Sequence, residues 1–200
     1  MSRAEDAPAG PGGALPGLAP PGVLTVGHGT LDRAALAALL RQAGVAEVVD
    51  VRRFPGSRTH PDVRRDALEE WMPAAGVAYR WEPRLGGRRH IPAAQRAASP
   101  DTWWRVEAFR AYAAWTRSAD FADALTAVLS DAAERRVALM CSESLWWRCH
   151  RRVIADVVVL RHGMGVGHLL HDGAVRRHEP AAGSPSTQQP APGTGTHHGG

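Results

Sequence analysis

The 200-residue chain is long enough to bury a real core, and at 44% hydrophobic residues it reads as globular rather than disordered. Its longest apolar run, within Val153–Leu160, is too short to span a bilayer. The start, with Glu5 and Asp6 ahead of Pro16, Pro20 and Pro21, lacks the basic opening and unbroken apolar stretch of a secretory signal.

The formal charge of +4 rests on 24 basic residues, all of them Arg. With abundant Ala, Gly and Pro this is a compositional bias, so Arg content alone does not argue for nucleic acid. Arg position says more, because a guanidinium fork grips carboxylate or phosphate with two hydrogen bonds.

Residues 1–22 are Pro, Gly and Ala with few large apolar groups and read as a flexible tail. The foldable part is expected over 23–173. Val23–Val26 reads as a buried strand, followed by a helix with Thr30 as its cap and Leu36, Leu39 and Leu40 on one face. Gly44 ends that helix. Glu47–Val51 is a second strand, and Asp62–Ala75 a second helix carrying a disruptive Pro73. Val77–Trp81 is a third strand. Two helices are expected between Pro100 and Ala133, with Trp104, Ala108, Tyr112 and Trp115 at helical spacing. Val137–Met140 is a fully apolar fourth strand, Arg148–Arg161 a helix, and Val166–Leu170 a last strand. From 174 the chain turns to Gly, Ser, Pro, Gln and His and reads as a disordered tail, including His197 and His198. The alternation predicts one three-layer α/β domain around a mostly parallel sheet of about five strands.

Each conspicuous polar cluster begins where a predicted strand ends: Gly27-His28-Gly29-Thr30, Arg52 to Arg58, Arg84 to His90, and Cys141 to Arg151. In a parallel sheet the C-terminal strand ends share one edge, and ligands bind in the crevice there. A single pocket lined by His28, Arg52, Cys141 and His150 follows. Against it stands the general polarity of loops in an Arg-rich chain.

The ordered series Thr25-Val26-Gly27-His28, Asp50-Val51-Arg52 with Pro55 and Ser57-Arg58, Leu85-Gly86-Gly87, Phe109 with Tyr112, and Cys141-Ser142-Glu143 with Cys149-His150-Arg151 closely resembles the family called domain of unknown function DUF488. The resemblance covers roughly Val23 to His171. It implies a compact α/β domain and intracellular occurrence, and supplies no reaction. One departure is Gly29, where many relatives carry a serine, so any hydroxyl role passes to Thr30.

Cys141, Glu143 and His150 are the catalytic candidates. Cys141 ends an apolar strand, where its thiolate could be stabilised by the next helix and by Arg148 or Arg151. Six residues separate Cys141 from Arg148, one too many for a phosphatase loop, and the loop glycines are missing. A buried structural cysteine is the plainer alternative. His150 suits a base or a ligand hydrogen bond, or else caps its helix or packs on Trp146. Glu143 is an acid–base candidate or the partner of Arg148 or Arg52 in an ion pair.

Ligand-binding candidates are His28, Arg52, Arg53, Arg58, Gly86, Gly87, Trp147, Arg148, Cys149 and Arg151. The Arg residues would hold an anion, the Gly pair would admit a close approach, and Trp147 would stack. Cys141, Cys149 and His150 could offer three metal ligands, with Glu143 or His28 a fourth, but their spacing argues against it and no metal is expected. The two cysteines lie farther apart than zinc-site pairs usually do, and neighbours Cys149 and His150 at a helix start would point about 100° apart. No cofactor is assigned.

Two cysteines are too few for a disulfide framework, which points to a reducing cytoplasm. Two functional readings remain. One is an enzyme acting on a phosphorylated, nucleotide-like or nucleic-acid substrate; the other is a non-catalytic nucleotide or nucleic-acid binding module. Cys, His and Glu gathered in one loop tilt the balance to the enzyme. An anionic small molecule or nucleic acid is the expected partner, and no membrane.

Overall fold

A computed structural model of the chain describes residues 22–92 and 99–180. Six strands form one sheet: β1 (Gly22–Gly27), β2 (Glu47–Asp50), β3 (Ala78–Trp81), β4 (Arg136–Cys141), β5 (Val166–Leu169) and β6 (Val175–Arg177). Their order is β3-β2-β4-β1-β5-β6; the first five are mutually parallel and β6 pairs antiparallel with β5. Five α-helices connect them: α1 (Arg33–Gln42), α2 (Arg65–Ala74), α3 (Glu107–Trp115), α4 (Ala119–Glu134) and α5 (Arg151–His162).

Alternation along the strands builds two cores. Val23, Val49, Val137, Leu139 and Cys141 face the layer containing Tyr112 of α3, Phe121 and Val128 of α4, and Ile154 and Val158 of α5. Leu24, Val26, Val48, Ala138 and Met140 face Leu36 and Leu40 of α1 and Leu68 and Met72 of α2. Strands buried on both faces read as near-continuous apolar runs, and the polar exception in β1, Thr25, is satisfied by His168 Nδ1 at 2.7 Å.

The five expected strands all form, and the sheet gains a sixth. The predicted tail from 174 therefore starts too early: β6 continues the chain, and His178 is buried beyond it. His178 Nε2 meets Asp156 Oδ1 at 2.8 Å and its Nδ1 meets His168 Nε2 at 2.9 Å. Polar composition hid a strand whose anchor is a buried imidazole. The rest of the two expected tails lies outside the described residues.

Helix boundaries also shift. Asp32, not Thr30, caps α1 by accepting from the Ala35 N–H at 2.8 Å. Gly44, at φ +64°, ends it as expected. The Gly44 and Val45 N–H groups reach back to the Arg41 and Leu40 carbonyls at 2.9 Å each, a paired bonding pattern that requires the left-handed conformation glycine adopts freely. Pro73 stays inside α2 because it sits in the last turn, where little of the hydrogen-bond ladder remains to be lost. Trp104 lies ahead of α3 rather than within it, and a short 3₁₀ turn at Trp146–Arg148 precedes α5. No helix among the described residues is long and apolar enough to cross a membrane.

β1 and β2 hand their chain to the α1–α2 layer, and β4, lying between them, hands its chain to α5 on the opposite face. Where adjacent strands send their connections to opposite faces, the loops part and leave a crevice.

Candidate functional site

The crevice is a cavity of about 320 Å³ lined by loops following β1, β2, β3 and β4. His28, Arg52, Cys141 and His150 all face it, together with Arg53 and Gly87. Backbone bonds from His28 to the Cys141 carbonyl (2.9 Å) and from Gly29 to the Ser142 carbonyl (3.0 Å) extend the β1–β4 ladder into the loops and fix their register.

The glycines permit this loop packing. A Cβ on Gly27 would lie within 3 Å of the Glu143 carbonyl and the Arg151 guanidinium. Gly29, at φ +52°, would put a Cβ 2.2 Å from Ser144 Oγ, so a side chain there is excluded twice over. Thr30 is exposed and does not line the cavity, and it takes up no hydroxyl role there. Gly86 and Gly87 serve neighbours of the protein itself: a Cβ on Gly86 would meet the Arg53 backbone at 2.9 Å, and one on Gly87 the His150 Nδ1 at 2.8 Å. Of the two, only Gly87 lines the cavity.

Arg52 is anchored from behind. Asp50, fully buried, accepts its Nε at 2.8 Å, its Nη2 at 2.5 Å and its backbone N–H at 3.0 Å, and also takes the Tyr79 hydroxyl at 2.8 Å. Burial and then the Asp50 charge push the Tyr79 hydroxyl well above its usual range, so it stays a donor. The outward Nη1 of Arg52 reaches His28 Nε2 at 3.2 Å.

The tautomer of His28 follows from its partners. Its Nδ1 lies 3.0 Å from the Gly29 carbonyl, which can only accept. Nδ1 therefore carries the proton, and Nε2 accepts from Arg52. Burial first, and Arg52 second, lower the imidazole to about 4. His28 is neutral at physiological pH.

His150 is oriented by the same logic. Nε2 donates to the Val51 carbonyl at 3.0 Å, its ring stands edge-on to Tyr112 at 5.0 Å, and Nδ1 is left with its lone pair 3.5 Å from Cys149 Sγ. It precedes α5 without capping it through its side chain. Its packing partner is Tyr112, not Trp146.

The two sulfurs are coupled. Hydrogen bonding with Cys149 first, and burial second, push the Cys141 thiol up. The same bond lowers Cys149, assisted by Arg151, whose Nε donates to Cys149 Sγ at 3.3 Å. Of the two sulfurs Cys149 is the one that a cation touches, and the expected support of Cys141 by Arg148 or Arg151 does not form. Arg148 is exposed, and Arg151 is buried with its other arm on the Glu143 carbonyl. The Glu143 carboxylate accepts the Leu145 N–H at 3.1 Å, bracing its own loop rather than pairing with Arg148 or Arg52.

Arg58, Gly86, Trp147, Arg148, Cys149 and Arg151 therefore do not line the cavity, and neither does Glu143. Trp146 stacks flat on His168 at 3.8 Å and covers the sheet, whereas Trp147 is exposed away from the crevice. The aromatic at the cavity is Phe54, 65% exposed. Phe54, Ser57, His60, Arg88 and Ser142 also line the cavity, beyond the candidate site residues that the sequence offers. Their signal was available: four of the five belong to the strand-end clusters or directly follow Cys141. Arg88 has a positive φ of 56°, which costs a non-glycine residue roughly 1–2 kcal/mol.

No curated protein and no solved structure matches the chain. A family model, described as "Domain of unknown function DUF488", matches residues 32–158, which contain Arg52, Gly87, Cys141 and His150 though not His28. The chain belongs to the DUF488 family.

Proposed function

We propose that the strand-end cavity binds a phosphorylated, nucleotide-like or nucleic-acid substrate through its anionic group, and that the chain is an enzyme acting on it in a reducing cytoplasm. One observation carries the reading: three arginines and three histidines line the cavity, and among the described residues no Asp or Glu does. Arg52 is held by Asp50, so Arg53 and Arg88 are the cations with charge to offer. The Arg88 guanidinium has no hydrogen-bond or ion-pair partner among the described residues. Strain of this kind persists where surrounding structure enforces it, often at ligand clamps. Phe54 at the rim offers a face for a base, and His28 and His150 supply oriented imidazoles on the floor.

A second reading, a non-catalytic module for the same ligands, draws on the Cys141 thiol. With its pKa pushed up it is no ready nucleophile.

A thermal-shift panel of phosphorylated metabolites, nucleotides, neutral nucleosides and short single-stranded oligonucleotides tests both. Phosphate-bearing compounds should raise the melting temperature and neutral nucleosides should not; oligonucleotide binding should weaken steeply with salt. Incubating each stabilising compound with the chain and following product by mass spectrometry separates enzyme from module. Indifference to every anion would sink both readings.

A further inference from the structure

We propose that Cys141, Cys149 and His150 form a binding site for a thiophilic divalent cation, Zn²⁺ foremost, with one coordination position open toward the cavity. The two sulfurs and one imidazole nitrogen lie within 4.8 Å of one another. Tetrahedral zinc, with Zn–S about 2.3 Å and Zn–N about 2.0–2.1 Å, requires an S···N separation of about 3.5 Å. Cys149 Sγ and His150 Nδ1 are 3.5 Å apart.

Spacing in the sequence does not keep these three ligands apart in the fold. The cysteines sit far apart in number because one ends β4 and the other precedes α5, and the turn between them folds the sulfurs together. The divergence of helical neighbours does not apply either, since Cys149 is extended (φ −117°, ψ 152°) and the helix starts only at Arg151.

The surroundings are those of an oriented ligand set. Val51 holds His150 Nε2–H, which fixes the tautomer and turns the Nδ1 lone pair inward, as outer-shell carbonyls do for metal-bound imidazoles. Gly87 leaves room at that nitrogen. Arg151 donates to Cys149 Sγ, and two thiolates would neutralise a divalent cation, so Arg151 meets a site with no net charge. Cys141 and His150 line the cavity while Cys149 does not, which puts the fourth position on the ligand side. Three protein ligands and one open place suit a zinc centre that also takes water or a substrate atom. The assignment stands independently of the anion reading.

The test uses the full chain, stripped of metal by a chelator and reduced with a phosphine. Titration with Co²⁺ should give a thiolate-to-cobalt charge-transfer band and tetrahedral d–d bands saturating at one equivalent, both abolished by Zn²⁺. Cys141→Ser and Cys149→Ser should each weaken binding by more than about 100-fold, beyond the 10–100-fold typical of outer-shell changes. Because a buried cysteine variant can lose its fold, X-ray absorption on the zinc-loaded wild type gives the same answer directly: two sulfurs at about 2.3 Å and lighter ligands at about 2.0 Å. His197 and His198 can bind cobalt but have no sulfur, so they produce no charge-transfer band. Absence of that band in the folded, reduced wild type would overturn the proposal, as would its survival in both serine variants or a zinc shell without sulfur. A disulfide forming on mild oxidation in a chain that takes up no metal would overturn it in favour of a redox pair.

Discussion

Asp50→Asn removes the charge behind Arg52 while nearly preserving shape. In the wild type one buried carboxylate takes two arms and the backbone N–H of Arg52, and the Tyr79 hydroxyl. The amide turns one acceptor oxygen into a donor facing other donors, and leaves the 6%-exposed Arg52 as an uncompensated buried cation. Breaking a buried pair in this way costs about 3–5 kcal/mol, a large share of the roughly 5–15 kcal/mol that holds a domain together. At about 2–4 °C per kcal/mol for a domain of this size, the melting temperature should fall by roughly 6–20 °C. Urea unfolding followed by circular dichroism at pH 7 measures the loss. Repeating it in phosphate adds a second arm, since a ligand bound only by the native state stabilises it in proportion to affinity. The freed Arg52 faces the cavity, so phosphate should stabilise the variant more than the wild type. Stability within about 1 kcal/mol of wild type would refute the buried-pair account. An equal phosphate increment in both proteins would refute the placement of Arg52 beside the ligand.

Other consequences follow from single residues. Burial lowers His28 to about 4 and His168 to about 3, so between pH 6.5 and 5 the unfolded chain takes up protons that the native chain refuses. Stability should therefore fall with pH across that window, by about 2 kcal/mol per histidine, and His28→Gln should remove roughly half of the slope; flat urea midpoints would contradict it. Arg88→Gly exchanges left-handed strain of about 1–2 kcal/mol for a glycine entropy cost of about 0.5–1 kcal/mol. It should leave the unfolding free energy within about 1 kcal/mol while weakening phosphate binding about tenfold or more, the share of one charge-assisted hydrogen bond; a destabilised variant with unchanged affinity would show the reverse. Gly87→Ala places a methyl group 2.8 Å from His150 Nδ1. It should cost about 1–3 kcal/mol by overpacking and displace the imidazole, visible as a shifted His150 ring resonance.

The parallel sheet was legible because strands buried on both faces are apolar nearly throughout, and Val23–Val26 and Val137–Met140 stand out as such runs. Four polar clusters at strand ends that share one edge mark the crevice. Which side chains face it was legible only in part: His28, Arg52, Cys141 and His150 do, as expected, but other candidates do not. Arg151 and Arg53 look alike in sequence, yet one is sealed against Cys149 and the Glu143 carbonyl while the other lines the crevice. That choice is made by loop packing through Gly27, Gly29 and Gly87, whose neighbours lie far away in the chain. β6 was missed for a related reason: its polar residues lie on an edge strand, and the buried His178 that pins it pairs with Asp156 and His168 across two other elements.

If Arg53 and Arg88 make the cavity an anion site, an inorganic polyphosphate binds there through them. Isothermal titration of pyrophosphate into wild type and into the Arg53→Ala/Arg88→Gly variant, both checked for folding, decides this. The wild type should show saturable one-site binding that weakens at least about 100-fold in the variant, as two charge-assisted hydrogen bonds worth roughly 1.5–3 kcal/mol each would require. No binding by the folded wild type, or equal binding by both, would contradict it.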